Sequence, residues 1–324
     1  MSEALKNTIT FSDEQSMLLD TATEFFRNKS PAAVVRDLIL TESGYADAQW
    51  QEMVSLGWSG LAIPDSCGGS DLGLAAAVTI AEPMGRHLSA TPWLSTQLFV
   101  QGLLAGADEA LSGQYLPAVT EGAIATVALS ESDGNWDLTG AALEVSETSA
   151  GLTLSGSKSF VLDAAAADYL LVSGSHSGAP CLVLVRADEL GDRAISRETV
   201  IDETRRSYGI EFSDVAIPEG RLIRGDSASL ALTAIRNAAL LLISAESAGG
   251  IAGVLDVIVE YLNTRTAFGR KIGSYQGLKH PTVDILIGLE RSRPHVYHAA
   301  SLLDAGEDPE IALRMAKAES SDSF

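Results

Sequence analysis

Between Asn237 and Leu262 the chain runs through a long apolar stretch in which Ile251, Leu255, Ile258 and Leu262 recur at helical spacing. That spacing places them on one face of a helix, and such a face has to be buried. Asn237, Ser244, Glu246 and Ser247 interrupt the stretch, so it reads as a core helix rather than a membrane span. The rest of the chain has to be built around it. The helix hands over to Arg265-Thr-Ala-Phe-Gly-Arg-Lys-Ile-Gly-Ser-Tyr-Gln276, a short turn with three cations, an exposed-looking Phe and two glycines. Guanidinium groups fork onto phosphate oxygens, and glycine lets a bulky ligand approach the backbone. A diphosphate-binding corner fits these residues. So does an ordinary turn whose cations cap the negative end of the preceding helix; on chemistry alone both readings stay open.

At 324 residues the chain can bury a large core and is expected to hold two or three domains. Apolar residues make up 46%, which argues for a globular protein over a disordered one. The 43 acidic residues against 22 basic ones leave a net charge of −21. That excess argues against a nucleic-acid partner and against charge-driven membrane binding; solubility explains it. The two cysteines, Cys67 and Cys181, are far apart and offer neither metal-ligand spacing nor a disulfide framework. Met1 to Thr10 is polar and lacks the apolar core of a signal peptide. A reduced, cytoplasmic setting is the expectation.

Three composition blocks follow one another. Residues 1–122 read as helices: Ser12 with Gln15 forms a capping-box pattern, Pro31 opens a second helix, and a Gly- and Pro-rich loop spans Gly57–Gly69. Further helices are predicted over about 72–86, 93–104 and 109–115. Residues 123–225 change period: 124–129, 151–156, 169–172, 181–185 and 208–212 are short apolar or alternating runs separated by Gly, Asp and Ser. They predict an antiparallel barrel or sandwich. Residues 226–324 return to long helices.

The motifs along this layout resemble those of the acyl-CoA dehydrogenases. Arg265-x-x-Phe-Gly-x-x-Ile-x-x-Tyr-Gln276, followed by Leu278-Lys-His280, is similar to that family's flavin signature. The resemblance implies an α+β fold with an N-terminal helical domain, a middle β-barrel and a C-terminal helical bundle. It also implies FAD held at a subunit interface by Arg265, Phe268, Gly269 and Gln276. Weaker matches occur in order: the Gly57–Gly69 loop, Glu82-Pro-Met-Gly-Arg86, Ala128-Leu-Ser-Glu131, and Leu154-Ser-Gly-Ser-Lys-Ser-Phe-Val-Leu-Asp163 with Ala167-Asp168. They imply that Leu129 and Ser130 run along the flavin ring and that Phe160, where the family has Trp, covers one of its faces. Two positions depart from the pattern. Trp136 stands where a substrate-contacting Ser is usual, and Leu162 replaces a Thr that would bond near flavin N5.

By resemblance, the reaction is α,β-desaturation of an acyl-CoA, with a buried Glu as base and the redox chemistry carried by the flavin. In most of the family that Glu lies beyond the helix that begins at about Ile311, and these residues do not include it. A minority places it 26 residues before the flavin Arg, followed by an Arg; here those positions are Ala239 and Leu240. Glu246 is the only carboxylate nearby, two turns further on. No catalytic residue is therefore assigned. Either this is a piece of a longer chain, or it is the degenerate subunit of a heteromeric enzyme whose partner supplies the base. A homo- or hetero-oligomer, a dimer or tetramer, is expected, with an acyl-CoA as substrate and an electron-transfer flavoprotein as acceptor. The alternatives are a silent scaffold that binds a partner or a CoA ester, and a flavin oxidase or monooxygenase on the same fold.

Overall fold

The computed structural model describes residues 12–148 and 151–324. The polar stretch Met1–Thr10, read above as lacking a signal core, lies outside the described residues. In chain order come α1 (Asp13–Lys29), α2 (Ala32–Ile39), α3 (Asp47–Ser55), α4 (Gly73–Ala76), α5 (Val78–Arg86), α6 (Trp93–Gly106) and α7 (Glu109–Thr120). Eight strands follow: β1 (Ala125–Ala128), β2 (Glu144–Thr148), β3 (Gly151–Leu162), β4 (Tyr169–His176), β5 (Ala179–Arg186), β6 (Ile195–Arg197), β7 (Ser207–Ile217) and β8 (Leu222–Arg224). The chain closes with α8 (Asp226–Thr264), β9 (Thr266–Ala267), β10 (Arg270–Lys271), α9 (Gln276–Asp304) and α10 (Glu310–Ser323). Helical, β, helical is the expected order. In space the segments gather into two compact units, which divide the chain differently from the composition blocks. One holds residues up to 35, 73–89 and 239–324; the other holds 36–72 and 90–238.

The first unit is helical. Its α1 opens on the expected capping box: Ser12 Oγ accepts from the Gln15 N–H and Gln15 Oε1 from the Ser12 N–H, both at 3.1 Å. Its closest packing is the crossing of α5 and α8. A Cβ on Gly85 would stand 1.9 Å from the Glu246 carbonyl oxygen, and one on Gly249 would stand 1.8 Å from that of Glu82. Only glycine allows the backbones so near. The ends of the Glu82-Pro-Met-Gly-Arg86 motif add polar ties. Glu82 accepts from Arg293 Nε at 2.7 Å and from the Tyr297 hydroxyl, and Arg86 pairs with Asp256. Along α8 the expected face fades. Ile251 is buried with Ala252 and Leu289, whereas Leu255, Ile258 and Leu262 are half-buried and Val254, Val257 and Tyr261 are exposed. This 39-residue helix is long and apolar enough to cross a membrane, but 56% of its most apolar window is buried inside the protein.

The second unit is built on one sheet in the order β6-β7-β3-β2-β4-β5-β8, with β1 joined to β4. Most pairings are antiparallel, but β1 and β2 each run parallel to β4. Leu143, Leu154, Val172, Val183, Ile210 and Phe212 are among the side chains that fill its core. The expected strands are all present; β1 is shorter than its apolar run, and β3, β4, β5 and β7 are longer than theirs. Strand β2 had no period-two signal in Glu-Val-Ser-Glu-Thr, and β6 and β8 are three residues each, too short to show a period. Helix α6 packs on this sheet through Thr96, whose Oγ1 exchanges hydrogen bonds with both backbone groups of Ala125. Arg206, 2% exposed, donates to the carbonyls of Leu38, Ile39 and Thr41 and so fixes the turn after α2 within this unit.

Candidate functional site

The singled-out residues fall into two groups, one in each unit. In the helical unit, α8 ends at Thr264 and the chain makes a minimal hairpin, β9 against β10 with Ala267 opposite Arg270. Its two tip residues are Phe268, at φ 51°, and Gly269, at φ 79°. Two positive φ values in a two-residue loop match the right-handed twist of the strands. For Gly269 that conformation is easy. For a bulky aromatic it is an outlier, with a strain of order 1–3 kcal/mol. The Phe268 ring is also 96% exposed. Among the described residues nothing covers the ring.

The cations of this corner divide. Lys271 Nζ donates to the Thr264 carbonyl at 2.7 Å, capping the end of α8, so the helix-capping reading holds for the lysine. The Arg270 guanidinium lies 4.1 Å over the Tyr275 ring, whose hydroxyl donates to the Ala267 carbonyl at 3.1 Å. Arg265 is exposed and enters no ion pair among the described residues. Gln276 is exposed at the first position of α9, where unpaired backbone N–H groups favour an anion. One spare guanidinium, an exposed ring and a helix start are a donor set suited to a dinucleotide.

In the β unit the structure brings Leu129, Ser130 and Phe160 together. The Ser159 N–H donates to the Ser130 carbonyl at 2.9 Å, and the Thr126 hydroxyl donates to the Leu162 carbonyl at 2.6 Å, lacing β1 to β3. Under them sits Lys158, 1% exposed. Its Nζ donates to the Leu129 carbonyl at 3.2 Å, to Glu131 Oε1 at 2.8 Å and to Ser173 Oγ at 3.1 Å. Glu131 also accepts from the backbone N–H groups of Ala142 and Leu143, so it ties the two ends of the loop that carries Trp136. Burial lowers the Lys158 pKa although Glu131 pulls it upward. Burial pushes Glu131 up, but hydrogen bonds from Lys158, Leu143 and Ala142 win and hold it below the usual carboxylate range. Lys158 and Glu131 lie inside the matched motifs, which do not by themselves pair the two. Their signal was a Lys at an inward-facing strand position, which burial permits only with a partner. Asp168 proves structural too: it exchanges hydrogen bonds with Ile124 and starts the β1–β4 pair.

Trp136 is 88% exposed on its loop. Ala239 and Leu240 are half-buried in α8, and Glu246 is half-buried at the α5 crossing.

Two family descriptions match the chain and together take in well over half of it: "Acyl-CoA dehydrogenase, N-terminal domain" over residues 12–123 and "Acyl-CoA dehydrogenase, C-terminal domain" over residues 229–324. The acyl-CoA dehydrogenase FadE28 of Mycobacterium tuberculosis is 27% identical over 269 residues, 81% of this chain and 74% of that one. Among solved structures, the Tcur3481-Tcur3483 steroid ACAD (G363A variant) superposes with a TM-score of 0.84 at 26% identity, over 96% of this chain and 83% of that one. PigA with FAD and proline superposes with a TM-score of 0.84 at 23% identity, over 98% of this chain and 85% of that one, and shares its fold.

Proposed function

This chain belongs to the acyl-CoA dehydrogenase family, and from that premise we propose that it is a FAD-dependent acyl-CoA dehydrogenase subunit that completes a flavin site at a subunit interface and takes its general base from a partner. The observation that carries the reading is Phe268: an aromatic ring strained at φ 51° and 96% exposed at a hairpin tip. Such a ring is stabilised by what it meets outside its own chain. Beside it, Arg265 is the cation the hairpin leaves unused, able to fork onto a phosphate oxygen pair. Exposed apolar residues continue from this corner along α8 and α9: Val257, Tyr261, Val283 and Ile287. A face of this kind is expected to be covered by another subunit.

When bound, FAD supplies the two-electron acceptor for desaturation of the acyl chain. The chain's part is to hold and orient it. Arg265 and Gln276 serve the polar groups, and Phe268 the apolar surface, of a neighbouring subunit's FAD, while Ser130 and Phe160 serve the flavin ring held at this chain's own β unit. The Lys158–Glu131 pair keeps the last two in fixed register. Removal of the α proton requires a carboxylate, and Ala239 and Leu240 offer none on α8; we place that carboxylate on a partner subunit. The two-component name of the Tcur3481-Tcur3483 steroid ACAD is consistent with such a division of labour.

Purified with its partner co-expressed, the chain is expected to carry flavin absorbance and to support reduction of a dye by acyl-CoAs. A colourless, inactive complex would contradict the proposal. The same apolar pair, Ala239-Leu240, favours a second reading, a catalytically silent scaffold. That reading predicts that Arg265→Ala leaves the complex's rate and flavin content unchanged; the present one predicts loss of both.

A further inference from the structure

We infer that Glu198 is a positioning residue for Phe160: its carboxylate anchors a bulge in β3 that turns the Phe160 ring outward, toward the flavin. The inference rests on the FAD reading above. The pairing of β3 with β7 slips between Lys158, opposite Ile210, and Val161, opposite Tyr208. Two residues, Ser159 and Phe160, therefore face the single Gly209, a bulge of the kind that re-aims a side chain. Neither backbone N–H of the bulge is used in the β7 ladder. That of Ser159 goes to the Ser130 carbonyl. That of Phe160 goes to Glu198 Oε2 at 3.0 Å.

Glu198 is itself held in place. It follows β6, its N–H donates to the Ser207 carbonyl at 2.9 Å, and its Oε2 accepts from the Ser207 hydroxyl at 2.7 Å. The carboxylate passes over Gly209, close enough that a Cβ there would stand in van der Waals contact with it, 3.6 Å from Glu198 Oε1. The result is a Phe at φ 58° with a 56% exposed ring. A non-glycine residue keeps that conformation when its surroundings over-determine it, and a charged acceptor on its N–H makes the stronger kind of hydrogen bond. Without the carboxylate, Phe160 can return to extended backbone, which carries its ring to the other face of the strand.

The test compares wild type, Glu198→Ala, Glu198→Gln and Phe160→Ala. In the flavin-free protein, amide hydrogen exchange over residues 158–163 is expected to speed up by at least about tenfold in Glu198→Ala. Glu198→Gln keeps an acceptor and is expected to restore most of the protection. In the FAD-loaded protein, the visible circular dichroism and reduction potential of Glu198→Ala are expected to move in the direction that Phe160→Ala moves them. Unchanged exchange at Phe160 in Glu198→Ala overturns the anchoring. Flavin signals that respond to Phe160→Ala but not to Glu198→Ala overturn the positioning. A wild-type chain that takes up no FAD overturns the flavin half together with the proposed function, while the exchange result still decides the anchoring.

Discussion

Asp163 shows how one residue can set the pH dependence of this chain. It sits at φ 56° and accepts from the Ser95 hydroxyl at 2.7 Å. Burial pushes its carboxyl up to about 6, against the opposing pull of Ser95, Arg205 and Arg206. The fold thus prefers the protonated acid. That preference adds full stability below the ordinary range of an unfolded Asp and is lost as pH rises through about 6. Asn accepts the same hydrogen bond, carries no charge and tolerates the left-handed conformation. Asp163→Asn is therefore expected to stabilise the protein above pH 6 by about 1–2 kcal/mol, a figure reduced because the residue is only half-buried, and to change little near pH 4. Denaturant unfolding at two pH values checks this; equal effects at both would contradict it. At this scale the sequence was legible where a residue's type is rare for its place: Arg265, Phe268 and Phe160 stood out, and all three are exposed. Lys158 and Glu131 did not stand out, because a pair 27 residues apart becomes a pair only once β1 and β3 are side by side. Glu198 was invisible for the same reason.

Among the elements, the crossing of α5 and α8 explains the Glu82-Pro-Met-Gly-Arg86 motif as packing. Gly85 and Gly249 each press on a carbonyl of the opposite helix at a distance that excludes a Cβ. Either glycine changed to Ala is expected to force the helices apart and to cost about 1–3 kcal/mol, read as a fall in melting temperature; a neutral Gly85→Ala would refute this account of the motif. Among the longer elements α1, α6, β3, β5 and β7 carry enough apolar residues to declare themselves, whereas on α8 the periodic set marks a helix but only Ile251 of it is buried. Periodicity failed for β2, β6 and β8, which are too short to show a repeat although Val145, Ile195 and Leu222 pack on the core. It also could not show that β1 and β2 run parallel to β4, because direction depends on how distant segments meet.

At the scale of the whole molecule, the proposed function needs the apolar side chains that α8 and α9 leave outside to be covered; Val257 is 67% and Val283 50% exposed. Val257→Glu and Val283→Glu should cost little in a monomer's stability and shift the assembly toward single chains, as sedimentation or light scattering would show; an unchanged assembly in both variants places the interface elsewhere. The order of composition blocks already suggested helical, β and helical parts, yet the compact units interleave them, drawing residues 73–89 to the last helices. No local pattern encodes that choice. It follows from which faces glycine lets meet. On the function proposed above, Phe268 and Arg265 at the hairpin grip FAD. The most direct measurement is FAD affinity of wild type and Phe268→Ala, each assembled with its partner and matched for melting temperature. A loss of at least about tenfold, some 1.4 kcal/mol, with fold and assembly unchanged, is the predicted result; equal affinity would contradict the account.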